Sequence, residues 1–128
     1  MRVADQSESG ASKAIRGLYV EGKGRFFPDE AIASCSSFRD ACALAWANRA
    51  NPDLTFQMLA VLAGLQHQHV GDYFNRDERT EKGHPRRSLP AEKLDAVEAV
   101  LGNRILSQFL MYRGALTIME AVLAQRAA

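Results

Sequence analysis

The sequence predicts a mainly α-helical fold, a bundle of five to six helices preceded by a short N-terminal β-hairpin or arm. From Ser36 onward, apolar residues recur at spacings of three and four, which is the period of one helix face. Before Ser36, two short aromatic and β-branched runs flank a Gly-Lys-Gly turn, which is typical of a hairpin. The 128 residues are 47% hydrophobic and 24% charged, enough for one domain with a core.

Residues 1–35 are predicted to form the N-terminal arm. Residues 1–13 are polar and rich in small residues, so we expect them to be disordered or loosely held. Leu18–Val20 and Arg25–Phe27 are the predicted strands, and Pro28 ends the second one. Because two isolated strands are marginal, the hairpin needs a partner surface, either the helical body or the same strands of a second subunit.

Residues 36–102 are predicted to contain four helices. Ser36 and Ser37 are candidate caps of the first helix. Thr55 caps a second helix that Gly64 ends, and a third helix is predicted from about residue 67 to residue 74. Residues 75–89 are densely charged and are expected to form an exposed loop. A fourth helix begins near residue 90 and ends at Gly102.

Residues 103–128 are predicted to be a helical oligomerisation segment, either one long helix or two short ones separated near Gly114. The segment has more apolar side chains than one small bundle needs, so we expect part of it to contact a second subunit. The expected contact residues are Ile105, Leu106, Phe109, Leu110, Leu116, Met119 and Leu123.

Several classes of function are not expected. The first ten residues contain no apolar run and no segment is apolar enough to span a bilayer, so we expect a cytoplasmic, nucleoid-associated protein without membrane contact. Cys35 and Cys42 lack metal-ligand spacing, and we expect free thiols, one in the core and one partly exposed, with no metal or cofactor. No catalytic motif is present, and Asp95 and Glu98 are interpreted as a solvated face, so the sequence predicts no enzyme.

The most informative segment is residues 55–75. Two helices that cross at a very short turn need a small residue at the crossing, a left-handed residue in the turn, an apolar plug and a buried aliphatic residue on the second helix. Ala60, Gly64, Leu65 and Val70 meet these requirements in order, and Tyr73 closes the packing.

This segment resembles the helix-turn-helix of the lambda-repressor and Cro type, the Xre family of phage and bacterial regulators, and the resemblance extends over residues 38–110. It implies a transcriptional regulator, a phage-type repressor, that binds double-stranded DNA as a homodimer on an inverted repeat. In that family the helix after the turn enters the major groove.

The resemblance also implies which residues contact DNA. Base contacts are expected from the outward residues of the second helix, which are Gln66, His67, Gln68, Gly71 and Asp72, and His69 can donate to a base or a phosphate. Phosphate contacts are expected from Gln57 and from the loop residues Arg76, Arg79, Lys82, Arg86 and Arg87. Asp72 departs from the family pattern, because an acid repels phosphate unless it accepts from cytosine or pairs with an arginine.

Other interpretations remain open at this point. The segment could be an ordinary pair of core helices. The fold could also serve a protein-binding antagonist of a regulator or polymerase factor, which the formal net charge of +1 fits. A phage assembly protein is a further alternative. A cationic rim around residues 66–72 favours DNA, and an acidic rim favours a protein partner.

Overall fold

Two short strands and six α-helices build the part of the chain that the structure describes. The structure, a computed structural model, describes residues 18–20 and 24–127. The elements are β1 Leu18–Val20, β2 Gly24–Phe26, α1 Asp29–Ala33, α2 Phe38–Ala47, α3 Phe56–Ala63, α4 Val70–Tyr73, α5 Leu94–Leu101 and α6 Ile105–Ala127, with single 3-10 turns at His67–His69 and Ala91–Lys93. The predicted mainly α-helical bundle is therefore confirmed, whereas the predicted disorder of residues 1–13 lies outside the described residues.

The main helices begin and end at the residues that the local chemistry favours. Ser37 caps α2, where its hydroxyl accepts a hydrogen bond from the backbone N–H of Asp40. Thr55 caps α3 in the same way, accepting from Met58. Gly64 and Gly102 end α3 and α5 in the left-handed conformation that glycine adopts without strain.

The core lies where α2, α3 and α5 meet the first half of α6. Leu59, Val70, Val97 and Leu101 are fully buried there, and Cys35 and Cys42 are both buried as well. One of the two cysteines was predicted to be partly exposed, and that prediction is wrong, because α1 and α2 bring both into the core. An aromatic cluster at one end packs Trp46 against Phe56, with ring centroids 4.4 Å apart.

The hairpin packs on the helical body of its own chain. β1 and β2 are antiparallel, with Leu18 opposite Phe26 and Val20 opposite Gly24. The side-chain amide of Gln108 accepts from the Phe27 N–H and donates to the Phe27 carbonyl, both at 2.9 Å, as a neighbouring strand would. Of the two partner surfaces considered from the sequence, the structure therefore supplies the helical body.

Two buried polar side chains hold the junction between α5 and α6. Asn103 donates to the carbonyls of Ala45 and Asn48 and accepts from the Ile105 N–H. Glu98 accepts from both the N–H and the hydroxyl of Ser107 at 2.7 Å. The interpretation of Glu98 as part of a solvated face is wrong, because its carboxylate caps the first turn of α6 and is buried there.

The C-terminal segment is one continuous helix, α6, without a break at Gly114. Ile105, Leu106 and Phe109 are buried in the core of their own chain, so they are unavailable for the subunit contact predicted for them. These three side chains pack against α2. The sequence does not distinguish them from the exposed apolar residues of the same helix, because an apolar side chain suits both core packing and a subunit contact. Leu110, Leu116, Met119 and Leu123 are exposed, as that prediction requires.

Candidate nucleic-acid interface

Residues 55–74 form the two-helix motif that the sequence predicts. Leu59, Ala60 and Ala63 of α3 are buried, as are Val70 and Tyr73 of α4. Gly64 has φ +71°, and the N–H of Leu65 donates to the Ala60 carbonyl at 2.9 Å to close the turn. The motif therefore presents one interior side and one solvent side, and its interior side contains the residues that the short crossing requires.

The second element of the motif is shorter and less regular than predicted. Instead of one helix over residues 67–74, a 3-10 turn at His67–His69 leads into α4, which spans only Val70–Tyr73. Gln66 occupies the cap position without a capping hydrogen bond from its side chain. A regular α-helix is not favoured locally, because no side chain caps its start and because Gly71 has a low helix propensity.

Three of the predicted base-contact residues lie free at the start of this segment. Gln66, His67 and Gln68 are exposed, and the amide of Gln68 donates only to the side chain of Gln66, at 3.3 Å. Gly71 is exposed, with open space where a Cβ would stand. His69 is half-buried and lies edge-on to Tyr73, so it is less accessible than the other three.

Asp72 does not stand as an unpaired acid. Its carboxylate accepts from Nη1 of Arg86 at 3.1 Å, and both side chains are mostly buried. This is one of the two ways in which the sequence analysis allowed an acid at this position. Arg86 is consequently paired within the protein, and its predicted role as a phosphate contact stays a prediction.

Arg39 of α2 fastens the end of α4 to the charged loop. Its guanidinium donates to the carbonyls of Asp72 and Asn75 and to those of Arg86 and Arg87. Four carbonyls on one guanidinium fix the start and the end of the 75–90 loop against α2. The sequence analysis missed this residue, because its contacts lie 33 to 48 positions away and leave no local pattern.

The loop itself is exposed, as predicted, but it is internally bonded. Thr80 and His84 pair through the Thr80 N–H, and the Arg86 N–H donates to the Glu78 carbonyl at 2.7 Å. Arg79 is exposed and donates to the carbonyl of Gly83. The remaining cations predicted to contact phosphate are also exposed; they are Arg76, Lys82 and Arg87.

Lys93 is a second residue that the sequence analysis missed. Its Nζ lies 3.3 Å from the point where a Cβ on Gly64 would stand, beside the turn of the motif. The ammonium group therefore adds a positive charge close to the N-terminal end of the 67–73 segment. The only local signal was a lysine in the first turn of a predicted helix, which is also typical of solvated positions.

The outward face of α3 is apolar rather than basic. Met58, Val61 and Leu62 are 42%, 77% and 63% exposed. Gln57, the predicted phosphate contact on this helix, is exposed beside them along a shallow groove. This face provides Gln57 with no neighbouring cation.

Comparisons with family models, curated proteins and solved structures found no match to this chain. No group of three or more metal-ligating side chains occurs among the described residues. Within the same residues, no helix is both long and apolar enough to cross a membrane.

Proposed function

We propose that this protein is a sequence-specific DNA-binding transcriptional regulator. Residues 66–73 would enter the major groove, and two copies would bind an inverted repeat. The observation that carries the proposal is the division of the two-helix motif into a buried side, with Ala60, Val70 and Tyr73, and a solvent side that begins with Gln66, His67 and Gln68. Glutamine side chains can make paired hydrogen bonds to adenine in the major groove.

Exposed cations adjoin the motif, in a loop that also exposes Asp77, Glu78 and Glu81. The pairing of Asp72 with Arg86 removes the acid that would otherwise repel a phosphate. Arg76, Lys82 and Arg87 remain exposed in the adjoining loop, and Lys93 lies beside the motif turn. These cations are the proposed phosphate contacts.

The test is a titration of the full chain against a pool of genomic fragments that includes its own upstream region, at two salt concentrations. We expect selective binding that weakens steeply with salt. Replacement of Arg87 by Ala should lower the salt slope by about one for each copy bound. Arg126→Ala is the matched control, because that exposed arginine lies at the far end of α6. Absence of selective binding at low salt by the folded protein would refute the proposal.

The apolar outward face of α3 favours one second candidate, a protein-binding antagonist of a regulator or polymerase factor. The exposed side chains on this face are Met58, Val61 and Leu62. Apolar side chains are unusual opposite DNA phosphates, but they are common where one protein binds another. Under this alternative, the DNA titration fails, while Val61→Glu abolishes capture of the partner in a pull-down and leaves the helical content unchanged.

A further inference from the structure

The apolar side chains of α6 are buried only in the first part of the helix. Ile105, Leu106 and Phe109 point into the core of their own chain. After Phe109, every described residue of α6 is exposed apart from Tyr112, which is half-buried. Leu116 and Leu123 continue the face of Ile105 and Phe109 along the helix, whereas Met111, Ile118 and Val122 lie on a neighbouring side. The body of the same chain leaves both sets exposed.

The second half of α6 is amphipathic in its own right. One apolar row, spaced by four, three and four residues, consists of Tyr112, Leu116, Met119 and Leu123. Beside it runs a second row of Met111, Ala115, Ile118 and Val122. Arg113, Thr117 and Glu120 lie on the flank of the first row and on the opposite side. Alternating spacings of three and four are those of a helix that packs against another helix.

The exposed apolar area is sufficient for a stable pair. Leu110, Met111, Leu116, Ile118, Met119, Val122 and Leu123 are between 38% and 76% exposed. Burial of such a side chain removes about 100 Å² of apolar surface, so two copies together could bury on the order of 1,000 Å². That is near the lower limit for a specific interface.

We propose that the second half of α6 pairs with the same segment of a second copy, in antiparallel orientation, to form a homodimer. The register centres the pair between Leu116 and Met119, so that each Leu116 packs on Met119 of the other copy and Tyr112 packs on Leu123. This register uses residues 110–125 symmetrically, which is nearly the whole free length of the helix.

Charge complementarity selects the antiparallel orientation. Arg113 and Glu120 are seven residues apart and so lie on the same flank of the Leu116 row. Antiparallel packing brings that flank against the same flank of the other helix, which places each Glu120 beside Arg113 of the other copy. Parallel packing would instead place Glu120 beside the row of Ala115 and Val122, without a charge partner.

Arg113 also contacts the body of its own chain. Its Nη2 donates to the Ser36 carbonyl at 2.7 Å, and its guanidinium carbon lies 5.1 Å from the centroid of the Phe109 ring. The other donors of the guanidinium remain available to a carboxylate. The pairing deepens the proposed function by supplying two copies, and it separates the points where the helices leave the two bodies by roughly 25 Å along the axis.

Dimer formation is measured in the absence of DNA. A negative result would therefore refute the dimer without refuting DNA binding. We expect the wild-type chain to sediment as a dimer at micromolar concentration and Leu123→Glu to weaken the dimer at least tenfold, with unchanged helical circular dichroism. Ala121→Glu is the matched control, since it adds the same charge at an exposed position roughly 160° around the helix from Leu123, and it should remain dimeric. A monomeric wild type, or a Leu123→Glu variant as dimeric as the control, would overturn the proposal.

Disulfide cross-linking tests the orientation. The native thiols of Cys35 and Cys42 are buried and do not compete. A mixture of Tyr112→Cys and Leu123→Cys variants should form the mixed disulfide on oxidation, because these positions face each other in the antiparallel register. Leu123→Cys alone should not cross-link to itself, since its two copies lie roughly 17 Å apart along the axis. Efficient self-linking of Leu123→Cys would contradict the antiparallel arrangement.

Discussion

At Gly102 two separate constraints require a residue without a side chain. Its φ of +79° lies in the left-handed region, and a Cβ built there would stand 2.8 Å from the Cβ of Ala50. The Ala50 N–H also donates to the Leu101 carbonyl at 2.8 Å, so the two segments cannot move apart without breaking that bond. Gly83 shares the left-handed backbone, with φ +85°, but has open space around it.

Gly102→Ala should therefore destabilise the protein far more than Gly83→Ala. We expect a loss in the free energy of unfolding of about 3 kcal/mol for Gly102→Ala, from backbone strain together with overpacking. Gly83→Ala should lose about 1 kcal/mol, from backbone strain alone. Urea unfolding monitored by circular dichroism measures both, and equal losses would show that the contact with Ala50 is not constraining.

Burial of Cys42 makes stability depend on pH in the alkaline range. Burial raises the pKa of the Cys42 thiol to about 12, although the nearby Arg39 opposes the shift. Above the ordinary thiol pKa of 9.0, the unfolded chain loses this proton first, so stability falls as the pH rises from 9 towards 12. The stability advantage of wild type over Cys42→Ala should shrink by about 1 kcal/mol per pH unit between pH 9 and pH 11. A difference that stays constant across that range would contradict this account.

The pair of Asp72 and Arg86 is mostly buried, with side chains 29% and 18% exposed, so it should contribute measurably to stability. Arg86→Ala leaves the Asp72 carboxylate without its partner and should lower the free energy of unfolding by about 1 kcal/mol. The double variant with Asp72→Ala should lose less than the sum of the two single losses, by about 0.5–1 kcal/mol. Additive losses in this double-mutant cycle would mean that the pair is not formed.

At the scale of elements, the sequence was informative wherever a local chemical signal marks a boundary. Ser37, Thr55, Gly64 and Gly102 placed the ends of α2, α3 and α5 correctly. The five-residue helix α1 was missed, because it is too short for periodicity to appear and because Pro28 at its start was interpreted only as the end of a strand. The sequence predicted one regular helix from about residue 67 to residue 74, but the structure has a 3-10 turn followed by the short helix α4, and no side chain caps either element.

The side chain of Gln108 on α6 holds the residue that follows β2. Gln108 makes both of its hydrogen bonds to the backbone of Phe27, so Gln108→Ala should loosen this end of the strand while leaving the helical bundle folded. We expect faster hydrogen exchange at Phe27, measured by mass spectrometry. Gln125→Ala, an exposed glutamine on the same helix, is the control and should change nothing. Unchanged exchange in Gln108→Ala would show that the burial of Phe27 and the bond from the Arg104 N–H to the Arg25 carbonyl suffice to hold the hairpin.

At the scale of the whole molecule, the sequence predicted the exposed residues of the candidate site but not the long-range contacts that position them. The exposed start of the motif, residues 66–68, follows from the spacing of Ala60, Gly64 and Val70, because that spacing decides which side faces inward. The pairing of Arg86 with Asp72 and the clamp made by Arg39 were not predictable, because they depend on how the loop folds back onto α2. The same limit explains α6, where only packing separates Ile105 and Leu106 from the free apolar residues beyond Phe109.

The most direct measurement of DNA recognition by this motif is the ratio of two affinities, one for a selected genomic fragment and one for random DNA, in Gln68→Ala. We expect this ratio to fall about tenfold or more, because a lost paired contact to a base costs about 1–3 kcal/mol. Affinity for random DNA should stay the same, and Gln125→Ala should retain the full ratio. If Gln68→Ala keeps the wild-type ratio, or if no fragment is selected by wild type, residues 66–73 do not read DNA.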